Sequence, residues 1–156
     1  MSVLRVAGPL ALVLALGLTA CGNRAPEPAR FVPPAPSVAE LDGRLRAHYN
    51  LLPTLALGEA VAREYGVERE ADSALLIVAL RHPATEGGKT TADGEVTAEA
   101  IDLAGRRQTV AVRRVSTGDY VDHVGTVRVG AHDTVRVHVV VDADGQRHEF
   151  DFQRNF

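Results

Sequence analysis

The stretch Thr134-Val135-Arg136-Val137-His138-Val139-Val140-Val141-Asp142-Ala143-Asp144-Gly145-Gln146-Arg147-His148-Glu149-Phe150-Asp151-Phe152-Gln153 decides the fold. Apolar and polar residues alternate along both halves, the period of a half-buried strand, and Asp-Gly between them is a two-residue hairpin signal. With Asp144 and Gly145 as the loop, Val141 faces His148, Val139 faces Phe150 and Val137 faces Phe152. One face of the hairpin is then apolar along its length. Arg136, His138, Glu149, Asp151 and Gln153 fall on the other. A slip of one residue would invert every side chain, so the agreement of turn chemistry with pattern fixes the register.

Working upstream, turn signals recur at the spacing expected of a sandwich or barrel. Residues 120–129 follow Thr117-Gly118-Asp119, and residues 96–103 and 108–115 flank Gly105. Residues 82–93 are polar, with Gly87-Gly88 and three threonines, and read as a mobile loop. Residues 73–80 form a nearly continuous apolar run, which predicts a strand covered on both faces. Leu57, Ala60, Val61 and Tyr65 fall at helical spacing, and Gly66 stands where a C-terminal cap glycine belongs. Before them Leu45, Ala47, Tyr49 and Leu51 alternate with Arg44, Arg46, His48 and Asn50 in another strand pattern that stops at Pro53. Six or seven strands and one short helix predict a mainly β protein, an antiparallel immunoglobulin-like β-sandwich, with a partly closed barrel as the alternative.

Composition agrees. Hydrophobic residues make up 46% of the 156 and aromatics only 4%, with no Trp, so the core is drawn from Val, Leu, Ile and Ala. Arg5 is the only charge before Cys21. From Cys21 onward 16 basic and 20 acidic residues leave a net −4, which is no footprint for nucleic acid.

The first forty residues set an address. Residues 6–18 are apolar, too short a run to span a bilayer but suited to the hydrophobic region of a signal peptide. The run ends in Leu18-Thr19-Ala20-Cys21-Gly22, which resembles a lipobox; the alternative is an ordinary signal peptide with an incidental Cys. Cys21 is the single Cys of the chain and stands where lipidation falls. Acyl chains there would anchor the protein to the membrane, and Gly22 rather than Asp resembles the outer-membrane sorting pattern. Five of the eight prolines follow, at 26, 28, 33, 34 and 36, as a semi-rigid spacer. The expected organisation is a lipoprotein signal peptide over 1–20, lipidated Cys21 and a proline-rich tether over 21–37, and the sandwich over 38–156.

His48-Tyr49-Asn50, the helix Ala62-Arg63-Glu64-Tyr65-Gly66-Val67, the hairpin Thr97-Ala98-Glu99-Ala100-Ile101-Asp102-Leu103-Ala104-Gly105-Arg106 and the ending Phe150-Asp151-Phe152-Gln153-Arg154-Asn155-Phe156 follow in a familiar order. Together they resemble the bacterial envelope family catalogued as domain of unknown function 4426, over roughly residues 40–156. The resemblance implies a secreted β-sandwich of the cell envelope and implies no activity. The tether and the Gly87-Gly88 loop depart from its pattern.

No phosphate-binding glycine loop, GxSxG elbow, HExxH or CxxC occurs in the chain. A Ser-His-Asp set from Ser116, His123 and Asp122 is a formal arrangement with nothing to activate the serine. Six histidines are the richest chemical material, yet no pair shows ligand spacing, and His138 opposite Asp151 reads first as a cross-strand polar pair. His48 and Asn50 flank Tyr49, whose ring reads as core and whose neighbours could rim a groove. The candidate binding residues are therefore His48, Tyr49, Asn50, His138 and Asp151, with no catalytic residue, metal ligand or cofactor assigned. The expected function is a non-enzymatic binding or assembly module of the envelope, lipid-anchored and facing the periplasm at the outer membrane, with an envelope protein as partner. Alternatives are a histidine-based metal or small-ligand carrier and, last, a hydrolase.

Overall fold

The computed structural model describes residues 37–83 and 89–156. The expected signal peptide, Cys21, the expected tether up to residue 36 and the Gly87-Gly88 pair lie outside the described residues. The rest is an antiparallel, immunoglobulin-like β-sandwich with one short helix. Its strands are β1 (Val38–Glu40), β2 (Arg46–Pro53), β3 (Ser73–Pro83), β4 (Lys89–Thr91), β5 (Glu95–Ile101), β6 (Arg107–Val110), β7 (Arg113–Thr117), β8 (Tyr120–Arg128), β9 (Thr134–Ala143) and β10 (Gln146–Asn155). The first sheet runs β1-β2-β3-β8-β7, with β4 beside the end of β3, and the second runs β10-β9-β5-β6.

The β9–β10 hairpin has the expected register, Val141 opposite His148, Val139 opposite Phe150 and Val137 opposite Phe152. Asp144 and Gly145 both take positive φ, at 52° and 73°, as a two-residue turn matched to strand twist requires. Val135, Val137, Val139 and Val141 are fully buried between the sheets, where they meet Leu76, Val78 and Leu80 of β3.

The apolar run of β3 is explained by two layers of cover. Ala74, Leu76, Val78 and Leu80 face the second sheet, and on the reverse face Leu75 and Ile77 pack with Leu57 and Ala62 of the helical segment. Helix α1 (Glu59–Glu64) ends as the sequence predicts. The Val67 amide donates to the Ala62 carbonyl at 2.8 Å and the Gly66 amide to the Arg63 carbonyl at 3.1 Å, with Gly66 at φ 58°. This is a Schellman end, and only a residue without Cβ takes that φ without strain.

Three local expectations are corrected. The strand before Pro53 runs from Arg46 through Pro53 itself, tolerated because β1 pairs β2 only as far as His48 and leaves this end an edge. The stretch 82–93 is not all loop: β3 continues to Pro83, and β4 pairs Thr91 with Arg81 and Thr90 with His82. Residues 108–115 form two strands rather than one. β6 pairs with β5 in the second sheet, β7 pairs with β8 in the first, and the chain crosses between layers at Ala111-Val112. Two separate sheets joined at such a corner exclude the barrel alternative.

Candidate functional site

The predicted binding residues do not form one surface. On β2, Ala47 and Leu51 belong to the core between the sheets, so Tyr49 points inward and His48 and Asn50 point outward from the first sheet. The Tyr49 ring lies 5.0 Å from Phe150 and 4.4 Å from Phe152, closing the sandwich beside β10, which agrees with its reading as a core aromatic. His138 and Asp151 are register partners on the outer face of the second sheet, Nδ1 to Oδ1 3.2 Å, the expected cross-strand pair. His48 with Asn50 and His138 with Asp151 therefore sit on opposite outsides of the sandwich. Among the described residues no group of three or more His, Cys, Asp or Glu side chains is placed to hold a metal ion.

The formal triad is not assembled either. Asp122 and His123 are neighbours on β8 and so project to opposite faces of the sheet. His123 turns inward with its Nε2 3.0 Å from the Gly94 carbonyl oxygen, while Asp122 faces outward to Arg81 and Tyr65.

His123 has a chemistry of its own. A carbonyl only accepts, so Nε2 carries a proton, and Nδ1 is buried with no hydrogen-bond partner among the described residues. Burial holds the pKa of His123 below the usual histidine value, with Arg114 adding to the effect against the opposing pull of the Gly94 carbonyl. The folded ring therefore takes up its proton at lower pH than the unfolded chain, whose histidine titrates near about pH 6.5. The unfolded state then binds more protons, so this contribution to stability is complete above that pH and is lost as pH falls. The expected slope from this one group is at most about 1.4 kcal/mol per pH unit. His123→Gln, measured by urea unfolding between pH 7 and pH 5, is expected to flatten the curve by up to one proton; an unchanged slope would refute the assignment.

Sequence reasoning missed a buried polar network on the outer face of the first sheet. Arg81 and Asp122, each 8% exposed, form an ion pair at 2.9 Å. Arg81 also donates to the Leu80 and Val121 carbonyls at 2.9 and 3.0 Å, and its guanidinium lies 5.0 Å from the centre of the Tyr120 ring. The Tyr65 hydroxyl donates to the second Asp122 oxygen at 3.0 Å. Burial, that hydrogen bond and the Asp122 charge push the Tyr65 hydroxyl up to about 12. The network joins α1 to β3 and β8. Its polar atoms are turned onto one another, which is the arrangement of a structural clasp.

A cleft of about 690 Å³ opens at one end of the sandwich, lined in part by Asp72, Asp102, Arg106, Gln108 and Arg128. Several of its polar groups are held by their neighbours. Arg106 is held by Asp102 at 2.6 Å, and the Gln108 amide both donates to the Arg128 carbonyl at 2.8 Å and accepts from its amide at 2.9 Å. The Asp102 carboxyl is held below its ordinary range by the Arg106 backbone amide and guanidinium.

Among the described residues the longest edge strand is β10, at the edge of the second sheet. β10 is ten residues long, whereas the edge strands β1, β6 and β7 have three, four and five. Among the described residues β10 pairs with β9 alone. Alternate residues of an antiparallel edge strand direct their amides and carbonyls away from the sheet, so β10 offers a row of backbone groups with no strand partner among the described residues. Its outer face carries Arg147, Glu149, Asp151 and Gln153, and its inner side carries the partly buried Phe150 and Phe152.

The family model described as Domain of unknown function (DUF4426) matches residues 39–156, the whole described sandwich but for its first two residues. The chain belongs to the DUF4426 family. The crystal structure of a DUF4426 family protein from Pseudomonas aeruginosa PAO1 matches with a TM-score of 0.63 and 24% identity, covering 76% of this chain and 92% of that one. The likeness supports a common DUF4426 fold. The GAE domain of yeast GGA1 matches with a TM-score of 0.31 and 7% identity, covering 78% of this chain and 98% of that one. No curated protein matches this DUF4426 chain.

Proposed function

We propose that this DUF4426 chain is a non-enzymatic binding or assembly module of the bacterial cell envelope, lipid-anchored through Cys21 and facing the periplasm from the outer membrane. The observation that carries the binding half is the β10 edge, a long strand with one strand partner among the described residues and an open row of backbone donors and acceptors. The sequence Leu18-Thr19-Ala20-Cys21-Gly22 and the prolines after it support the anchor and the reach. A tether of polyproline character extends about 3 Å per residue and would present the sandwich away from the membrane.

Two measurements on the protein in its native membranes test the two halves. Intact mass is expected to give a mature chain beginning at Cys21 with added acyl groups; an unlipidated chain cut elsewhere overturns the anchor. A photoreactive residue at Gln153, on β10, is expected to capture an envelope protein that the same group at Thr109, on the opposite edge, does not. Equal capture at both positions, or at neither, overturns the binding role of β10.

A further inference from the structure

We propose that the partner of the β10 edge is an extended segment of another envelope protein whose side chains alternate between basic and apolar. The inference rests on the binding-module reading above and adds the chemistry of the occupant.

A strand added to an edge places successive side chains on opposite faces, in step with the strand it joins. On the outer face of β10 the central positions are Glu149 and Asp151, and on the inner side the intervening Phe150 and the following Phe152. The two carboxylates have neighbours within the sheet. Arg147 approaches Glu149 at 3.4 Å, and His138 approaches Asp151 at 3.2 Å and Glu149 at 3.9 Å. Even so, the Glu149 and Asp151 side chains keep 54% and 61% of their surface exposed. Basic residues directly opposite would make favourable cross-strand pairs with both. Phe150, Phe152 and Tyr49 form a ring cluster that remains only partly buried, so apolar residues at the intervening positions would complete its cover.

The same charges argue against a second copy of this chain in the registers that overlap β10 most fully. In an antiparallel β10 to β10 pairing, a register centred on Phe150 sets Glu149 opposite Asp151 twice. A register centred on Asp151 sets that residue opposite itself, and one centred on Glu149 sets Glu149 opposite itself while placing Asp151 opposite Arg147. Like charges directly opposite are destabilising and are a common guard of exposed edges.

The test uses the full-length protein in detergent micelles and a ten-residue peptide alternating Lys and Val, with a Glu and Val peptide and an N-methylated Lys and Val peptide as comparisons. The Lys and Val peptide is expected to bind, to slow hydrogen exchange of β10 amides and to weaken with added salt. The Glu149→Lys/Asp151→Lys protein is expected to bind it at least tenfold more weakly and to prefer the Glu and Val peptide. Thermal melting checks that this variant is folded, since both side chains are exposed. Unchanged affinity in the variant, equal binding of the N-methylated peptide, or protection of β10 through self-association overturns the proposal. If capture at Gln153 in membranes survives the double substitution, the edge is still a binding site and only the charge rule falls. Loss of site-specific capture in the unaltered protein removes the binding reading itself.

Discussion

Asp122→Ala is expected to cost about 3–5 kcal/mol of folding stability, the range for breaking a buried ion pair by removing one partner. The loss has two sources. The Arg81 guanidinium, whose side chain is 10% exposed, keeps its bonds to the Leu80 and Val121 carbonyls but loses its counter-charge. The Tyr65 hydroxyl loses its acceptor at the junction between α1 and β8. The Arg81 side chain is buried, and the half-buried Tyr65 ring packs beside Leu75 and Val124. The comparison that separates charge from packing is Arg81→Met/Asp122→Leu, which removes both ions and keeps apolar volume. That double variant is expected to recover most of the loss, because the pair itself offsets its own desolvation only in part. The chain has no Trp, so unfolding in urea is best followed by far-UV circular dichroism. A cost below about 1 kcal/mol for Asp122→Ala, or a double variant as unstable as the single changes summed, would sink this account of the network.

That network also marks a limit of what the sequence makes legible. Arg81 ends an apolar run and Asp122 stands among valines, so each is visible as a charge in a strand. Their meeting depends on the ladder between β3 and β8, in which Val78 pairs with His123. Continued by three residues, that register brings Tyr120 opposite Arg81, in accord with the ring beneath the guanidinium. Nothing local encodes it, since the two strands are separated by four others in the chain.

The contrast is the β9–β10 hairpin, where partner strands are adjacent in sequence and the turn sets the register, so the sequence alone pairs His138 with Asp151. Alternation assigns each residue a face within its own sheet but does not say which sheet a strand joins. That is why His48 and Asn50 were grouped with His138 and Asp151 although the layers of the sandwich stand between them. β1 and β4 were not legible for a simpler reason: three residues carry no period, and Lys89-Thr90-Thr91 has no apolar member at all.

The split between β6 and β7 was hidden because Val110 and Val112 keep the strand alternation through the corner with no Gly or Pro to interrupt it. The signal lies on a different strand, at Gly125 of β8. A Cβ built there would meet Val110 Cγ1 at 2.6 Å and the Ala111 carbonyl oxygen at 3.1 Å. The crossing segment passes so close to β8 that no side chain fits between them. Gly125→Ala is accordingly expected to cost about 3 kcal/mol, at the upper end of what overpacking a core by one methyl causes. Val110 has little freedom to turn away, being β-branched and buried in the main core. Retreat of the backbone is resisted on both sides, by the Ala98 to Val110 pairing of β5 with β6 and the Arg113 to Val124 pairing of β7 with β8. Val110→Ala removes the Cγ1 contact and leaves the carbonyl contact. It is expected to be destabilising alone yet to rescue part of the Gly125→Ala loss, a coupling of about 1 kcal/mol for residues in contact. Gly125→Ala within about 0.5 kcal/mol of the unaltered protein in urea unfolding would mean that the corner is free to move and that the close approach does not hold the two sheets in place.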